Sequence, residues 1–203
     1  MMSAPPPLHY LALGDSYTIG ESVPAEACWP MQLTEQLRRH GVVIDDPRIV
    51  AVTGWTTDEL SAGMDRARLA LSYDLVTLQI GVNNQYRGRD SQEYGNQFEA
   101  LLQLALRLAG SPDHVFVLSI PDWGVSPFAA NRDRSRIAHE IDAFNAIAQA
   151  ITRREGPAFL DITTHSRTAG ADPAAFTADG LHPAKTTAAH WARELAAQLI
   201  PLL

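Results

Sequence analysis

Cysteine is almost absent from this sequence. Cys28 is the only one in 203 residues, so an intramolecular disulfide is impossible and a cysteine-based zinc site cannot form. The histidines show no ligand-like spacing either. A chain of this length buries a sizeable core without cross-links. We therefore expect one domain over residues 1–203 that needs no metal.

Dense runs of basic charge and long apolar runs are also missing. The formal net charge is −7 and the basic residues are scattered, which argues against nucleic acid as a partner. The first residues lack the basic and apolar segments of a signal peptide, and no later run approaches the roughly 18 apolar residues of a membrane helix. The sequence predicts a cytoplasmic protein without stable membrane insertion, and it leaves the oligomeric state open.

What the chain does contain is a regular alternation of short apolar runs with longer helical patterns. The predicted strands cover residues 9–13, 49–52, 75–80, 115–120 and 158–162; the predicted helices cover about 29–41, 57–71, 91–109, 135–154 and 183–199. This order is typical of an α/β fold with a mainly parallel five-stranded sheet and helices on both faces.

Polar turns follow several of these strands. Gly14-Asp15-Ser16-Tyr17 follows the first, Gly54 the second and Gly81-Val82-Asn83-Asn84 the third. Asp179-Gly180-Leu181-His182-Pro183 precedes the last helix. Because parallel strands end at the same edge of a sheet, we expect these four blocks to lie close together.

The blocks contain the groups that acyl transfer requires. A serine hydroxyl is a weak nucleophile until an imidazole takes its proton and a carboxylate orients that imidazole, roles that Ser16, His182 and Asp179 can fill. Asp161, at the end of the fifth strand, is an alternative acid, although an aspartate there more often caps a turn. Donors for a developing oxyanion are the backbone N–H groups of Ser16 and Gly54 and the side-chain amide of Asn83.

Taken together, these four blocks resemble those of the SGNH hydrolases, also called GDSL esterases and lipases. The resemblance runs from Gly14 to Pro183 in the family's order and implies a flavodoxin-like, three-layer α/β/α sandwich. It also implies that Ser16 is the nucleophile, His182 the base and Asp179 its acid, with Ser16, Gly54 and Asn83 forming the oxyanion hole. One departure is Asn84, where the family usually has aspartate, and this questions how the turn around it is supported.

Other chemistries find less support in the sequence. It has no Gly-x-Ser-x-Gly elbow and no glycine-rich phosphate-binding motif. We therefore expect a serine esterase that hydrolyses small-molecule esters, with a short acyl chain and no cofactor. The alternative is a catalytically silent module that binds a small molecule or glycan. Rings that could shape the substrate pocket are Tyr17, Trp55, Tyr86, Trp123 and Phe128.

Overall fold

The computed structural model describes residues 5–202. Its strands are β1 (Tyr10–Gly14), β2 (Arg48–Ala51), β3 (Leu75–Gln79), β4 (Val115–Leu118) and β5 (Ala158–Leu160). Within the described residues these strands form one five-stranded sheet in the order β2-β1-β3-β4-β5, and every neighbouring pair is parallel. The prediction of a parallel five-stranded sheet is confirmed.

The helices of residues 5–202 pack in two groups. They are α1 (Ser16–Ile19), α2 (Trp29–Arg39), α3 (Thr57–Arg66), α4 (Val82–Tyr86), α5 (Ser91–Ala109), α6 (Arg134–Glu155), α7 (Thr163–Ala169) and α8 (Lys185–Leu199). Helix α2 packs against α8, while α3 and α6 both pack against α5. The groups cover opposite faces of the sheet, which gives the expected three-layer α/β/α sandwich.

Burial explains why the central strands are apolar on both sides. Every residue of β1 and β3 is buried, as expected for strands covered by helices on both faces. The hydroxyl groups of Tyr10 and Thr77 lie 2.9 Å apart across the two strands. The side-chain oxygen of Gln79 accepts from Thr18 and Trp29, whereas its buried amide nitrogen has no hydrogen-bond partner among the described residues. This rigid centre carries the turns that follow β1 and β3.

Two helix predictions were wrong at one end. Helix α3 ends at Arg66, not near Leu71, because Arg68 turns the chain with a φ of +45°, and Leu71 is 97% exposed. The last helix begins at Lys185 rather than at Pro183. Pro183 instead forms an isolated antiparallel bridge with Phe176, which leaves the preceding residues in an irregular turn.

Three short helices were not predicted. Residues 16–19, predicted as a turn, form α1, residues 82–86 form α4 directly after β3, and residues 163–169 form α7. None of the three shows a long apolar stripe, which is the signal that reveals helices in a sequence. None of the helices in the part of the chain that the structure describes is long and apolar enough to span a membrane.

Candidate active site

Ser16 lies where β1 gives way to the short helix α1. The Asp15 side chain caps this helix by accepting a hydrogen bond from the backbone N–H of Tyr17 at 3.0 Å. The turn is so tight that a Cβ on Gly14 would lie 2.6 Å from the carbonyl oxygen of Gln79. Glycine is therefore required before Asp15, and Ser16 is held on rigid backbone, 4% exposed.

The structure brings Ser16 and His182 together across 166 residues of sequence. Nε2 of His182 lies 3.0 Å from Oγ of Ser16, and Nδ1 lies 2.8 Å from Oδ2 of Asp179. With a proton on Nδ1, that nitrogen donates to the carboxylate while Nε2 accepts from the serine hydroxyl. The three side chains thus form one continuous chain of hydrogen bonds.

The turn that carries Asp179 and His182 is fixed by its own hydrogen bonds. Oδ1 of Asp179 accepts from the Thr177 hydroxyl at 2.7 Å and from the backbone N–H groups of Leu181 and His182 at 2.8 and 3.0 Å. Partial burial raises the pKa of Asp179, but the hydrogen bonds, led by that from the His182 side chain, outweigh it and hold the pKa well below its usual range. Asp179 is therefore an anion at neutral pH.

Gly54 and Asn83 line the same cavity as Ser16 and His182, a cleft of about 180 Å³. Gly54 has a φ of +85°, a left-handed conformation that favours glycine. The Asn83 amide nitrogen donates to the carbonyl oxygen of Trp55 at 3.0 Å and has a longer contact, 3.4 Å, with Oδ2 of Asp15. The sequence-predicted oxyanion donors thus border one space beside Ser16.

Beneath Asn83, the carboxyl group of Asp15 is almost fully buried, with 1% exposure. Burial raises its pKa to about 7, and the hydrogen bonds from the Tyr17 N–H and the Asn83 amide only partly oppose this shift. A carboxyl group with a pKa raised to about 7 is therefore adjacent in the chain to the candidate nucleophile.

Asn84 has a definite structural partner. Its Oδ1 accepts from the backbone N–H of Thr57 at 3.1 Å, and its Nδ2 donates to the hydroxyl group of Thr57 at 2.7 Å. Asn84 is fully buried, and its amide offers both an acceptor and a donor here, whereas an ionised aspartate would only accept. This pair joins α4 to the start of α3, so the turn is supported without the usual aspartate.

Aromatic side chains form the wall and mouth of the cleft. Tyr17, Tyr86, Trp123 and Phe128 line it, together with Val82 and Leu181. The rings of Tyr86 and Trp123 meet edge to face with centroids 5.2 Å apart. Trp55, the fifth predicted ring, does not line this cleft. It covers Gly63 instead, where a Cβ would overlap its ring.

Other candidate residues lie outside the site. Asp161, the alternative acid, lies two residues before α7 and accepts from the N–H of Thr163 at 2.8 Å and the Thr164 hydroxyl at 2.6 Å. Cys28 is buried, and burial raises the pKa of its thiol, which disfavours the reactive thiolate. Among residues 5–202, no three His, Cys, Asp or Glu side chains group as ligands for a metal ion.

Two residues that bond to Asp179 were not identified from the sequence. Thr177 donates to one oxygen of Asp179, and Ser22 donates to the other at 2.8 Å. Ser22 lies between the Gly14–Tyr17 block and the helix predicted from about residue 29, and a serine there carries no pattern that indicates a contact with residue 179. The Ser22 contact depends on tertiary structure alone, whereas the Thr177 contact is local, between residues two positions apart.

Comparison with known proteins identifies the class. The model of the GDSL-like lipase/acylhydrolase family matches residues 12–197, so the chain belongs to that family. It is a serine-dependent hydrolase of carboxylic esters. This confirms the resemblance inferred from the four sequence blocks.

Individual relatives agree in length and fold. An arylesterase of Vibrio mimicus is 27% identical over 193 residues, which cover 93% of this chain and 86% of that protein. The crystal structure of TesA superposes with a TM-score of 0.75 at 22% identity and covers 96% of this chain and 99% of that one. Axe2, an acetylxylan esterase from Geobacillus stearothermophilus, has a TM-score of 0.73 at 18% identity, with 95% and 94% covered. The two structures share the fold of this chain.

Proposed function

We propose that this hydrolase cleaves esters of short acyl chains through a covalent intermediate on Ser16, with His182 as base and Asp179 as the acid that orients it. The observation that carries the proposal is the chain of hydrogen bonds from Ser16 Oγ to His182 Nε2, at 3.0 Å, and from His182 Nδ1 to Asp179, at 2.8 Å. These are the contacts that activate a serine hydroxyl.

In the acylation step Ser16 Oγ attacks the ester carbonyl carbon while its proton passes to Nε2 of His182. The carbonyl oxygen becomes an oxyanion. When the carbon–oxygen bond to the alcohol breaks, the imidazolium returns the proton to the departing oxygen. Water then attacks the acyl-serine by the same route, which releases the carboxylic acid and restores the Ser16 hydroxyl.

The oxyanion would be stabilised by the backbone N–H groups of Ser16 and Gly54 and by the Asn83 amide. The Asn83 nitrogen already has a 3.0 Å bond to Trp55 and a 3.4 Å contact with Asp15. The longer contact is the weaker one, so the amide proton facing Asp15 is the one available to the oxyanion. Each such donor contributes about 3 to 4 kcal/mol to a developing oxyanion.

The size of the cleft supports a short acyl group. Its volume is about 180 Å³, close to the roughly 150 Å³ of an engineered cavity that holds benzene. Trp123, one of its lining residues, is 6% exposed. Two structural neighbours, TesA and the acetylxylan esterase Axe2, share this fold, and the latter's name records an acetyl ester as its substrate.

The test is hydrolysis of p-nitrophenyl esters, from acetate to palmitate, by the wild type, Ser16→Ala and the control Ser135→Ala on the exposed face of α6. We expect Ser16→Ala to lower kcat by about a thousandfold or more and Ser135→Ala to change nothing. Rates should fall as the acyl chain lengthens. Retained turnover in Ser16→Ala would disprove the nucleophile, and folded wild type without turnover or phosphonate labelling would favour the silent binding module.

A further inference from the structure

The hydroxyl group of Ser22 donates to the same oxygen of the Asp179 carboxylate that is bonded to the His182 side chain. Ser22 Oγ and His182 Nδ1 each lie 2.8 Å from Oδ2 of Asp179. The other oxygen, Oδ1, accepts from the Thr177 hydroxyl group and from the backbone N–H groups of Leu181 and His182. Ser22 is therefore the second donor at the oxygen that faces the imidazole.

Ser22 reaches this position through a backbone conformation that serine seldom adopts. Its φ is +65°, in the left-handed region, which is disfavoured for residues with a Cβ. It lies just beyond Gly20, which ends α1 with a φ of +75°. Non-glycine residues in such conformations cluster at functional sites, where the surrounding contacts hold them in place.

Glu21 and Ser22, which are adjacent in this loop, both form hydrogen bonds with residues at the edge of the candidate site. The carboxylate of Glu21 accepts a hydrogen bond from the Thr53 hydroxyl, next to Gly54. Ser22 bonds to Asp179 on the other side. The loop thus connects the oxyanion side of the cleft to the acid side.

From this geometry we infer that Ser22 is a positioning residue of the proposed triad: its hydroxyl group holds the Asp179 carboxylate in the orientation that receives His182 Nδ1. The inference rests on the proposed function. Because two donors share one oxygen, each bond is weaker than it would be alone. Ser22 therefore also moderates how strongly Asp179 stabilises the protonated imidazole.

Removal of the Ser22 hydroxyl group should lower the rate but raise the proton affinity of the base. Without the hydroxyl group Asp179 samples other orientations and kcat falls. When Asp179 does face His182, its oxygen is no longer shared, so the protonated base is stabilised and the acid limb of the kcat/KM profile moves to higher pH. The other titratable groups nearby are Tyr17, Asp15 and Asp122, together with Glu21, which precedes Ser22 and bonds to Thr53. The hydrogen bond of the Ser22 side chain goes to Asp179.

The test compares Ser22→Ala, Ser22→Gly and Ser22→Asn on p-nitrophenyl acetate over a range of pH. Loss of one positioned hydrogen bond predicts a kcat about 3- to 10-fold lower in the alanine and glycine variants, with KM within about twofold. The acid limb should move up by about half a pH unit. Asparagine tolerates the left-handed conformation and offers an N–H donor, so it should recover most of the lost rate.

The glycine variant separates positioning from loop stability. Glycine adopts a positive φ without steric cost, so its fold should be at least as stable as that of Ser22→Ala by thermal unfolding. If its kcat is nevertheless as low, lost stability is not the cause.

Three outcomes would overturn the inference: wild-type kcat in Ser22→Ala, a lower kcat with an unmoved acid limb, or an asparagine variant no better than alanine. Ser16→Ala in the same assay separates the two proposals. If it abolishes turnover while the Ser22 variants behave like wild type, only the role of Ser22 fails.

Discussion

Asn84 stands where the family usually has a charged aspartate, and its amide supports the turn through hydrogen bonds instead. Its amide accepts from and donates to the same residue, Thr57, and the Thr57 hydroxyl donates onward to Gln97. An aspartate at position 84 could accept from Thr57 but not donate to it. The departure from the family pattern is therefore accompanied by a local network suited to an amide.

We predict that Asn84→Asp destabilises the protein by about 1 to 3 kcal/mol, because it buries a charge and removes the Nδ2 donor. The new oxygen can accept from the Thr57 hydroxyl only if that hydroxyl gives up its bond to Gln97. Urea unfolding at neutral pH measures the change, and Asn96→Asp on the surface of α5 is the control. Because Asn83 is the neighbouring residue, kcat should fall as well. Equal unfolding free energies for Asn84→Asp and wild type would refute this account.

At the scale of elements, helix ends were predictable where capping residues mark them. Helix α5 has the predicted bounds because Asp90 caps its start and Gly110, with a φ of +73°, ends it. In helix α7 the N-cap residue, Ile162, makes no side-chain capping bond and Gly170 ends the helix with a φ of −59°; among its residues only Thr163 and Ser166 are buried. Its polar sequence gives no apolar periodicity, so its packing could not be inferred from the sequence.

Helices α7 and α8 meet through two stacked histidines. The rings of His165 and His190 lie 3.7 Å apart, and Trp191 donates to Nδ1 of His165 at 3.2 Å. Burial, followed by the influence of His190, lowers the pKa of His165 from its ordinary 6.5. The stabilisation by neutral His165 is therefore present above about pH 6.5 and is lost as the pH falls below it.

Replacing His190 by glutamine should reduce this loss, since the second imidazole no longer disfavours protonation of the first. We expect the unfolding free energy of His190→Gln to fall less than that of wild type between about pH 7 and about pH 5. His139→Gln, on the exposed side of α6, serves as the control. Parallel pH curves for wild type and His190→Gln would show that the stack does not couple α7 to α8.

At the scale of the whole molecule, the four sequence blocks predicted where the candidate site lies, but the sequence did not predict the long-range contacts that support it. Strand ends and glycine turns are local signals, and parallel strands bring them to one edge. The bond between Ser22 and Asp179 joins residues 157 positions apart and depends on a loop conformation that serine rarely adopts. No local pattern encodes such a contact, and the same applies to the burial of Asp15.

Asp15 makes the stability of the entire fold depend on pH. Its folded pKa of about 7 lies above its ordinary 3.8, so the folded state binds the proton more tightly and stability falls as pH rises between about 4 and 7. Asp179 affects the stability of the fold in a different pH range. Its lowered pKa contributes stability that is lost only below about pH 4.

Asp15→Asn should remove the decline between about pH 4 and about pH 7, leaving the variant more stable relative to wild type at pH 8 than at pH 5 by a few kcal/mol. Urea unfolding at both pH values gives the difference, with Asp65→Asn as the exposed control. If the difference between variant and wild type does not change with pH, Asp15 is already ionised at pH 5.

The distance in sequence between Ser16 and His182 has a consequence for a chain emerging from the ribosome. All five strands are complete at Leu160, so a nascent chain can assemble its sheet before the imidazole has been synthesised. The proposed nucleophile is present from the first strand onward, but its proposed base is not. If the proposed mechanism holds, hydrolytic activity therefore begins only after all the strands of the sheet have been made.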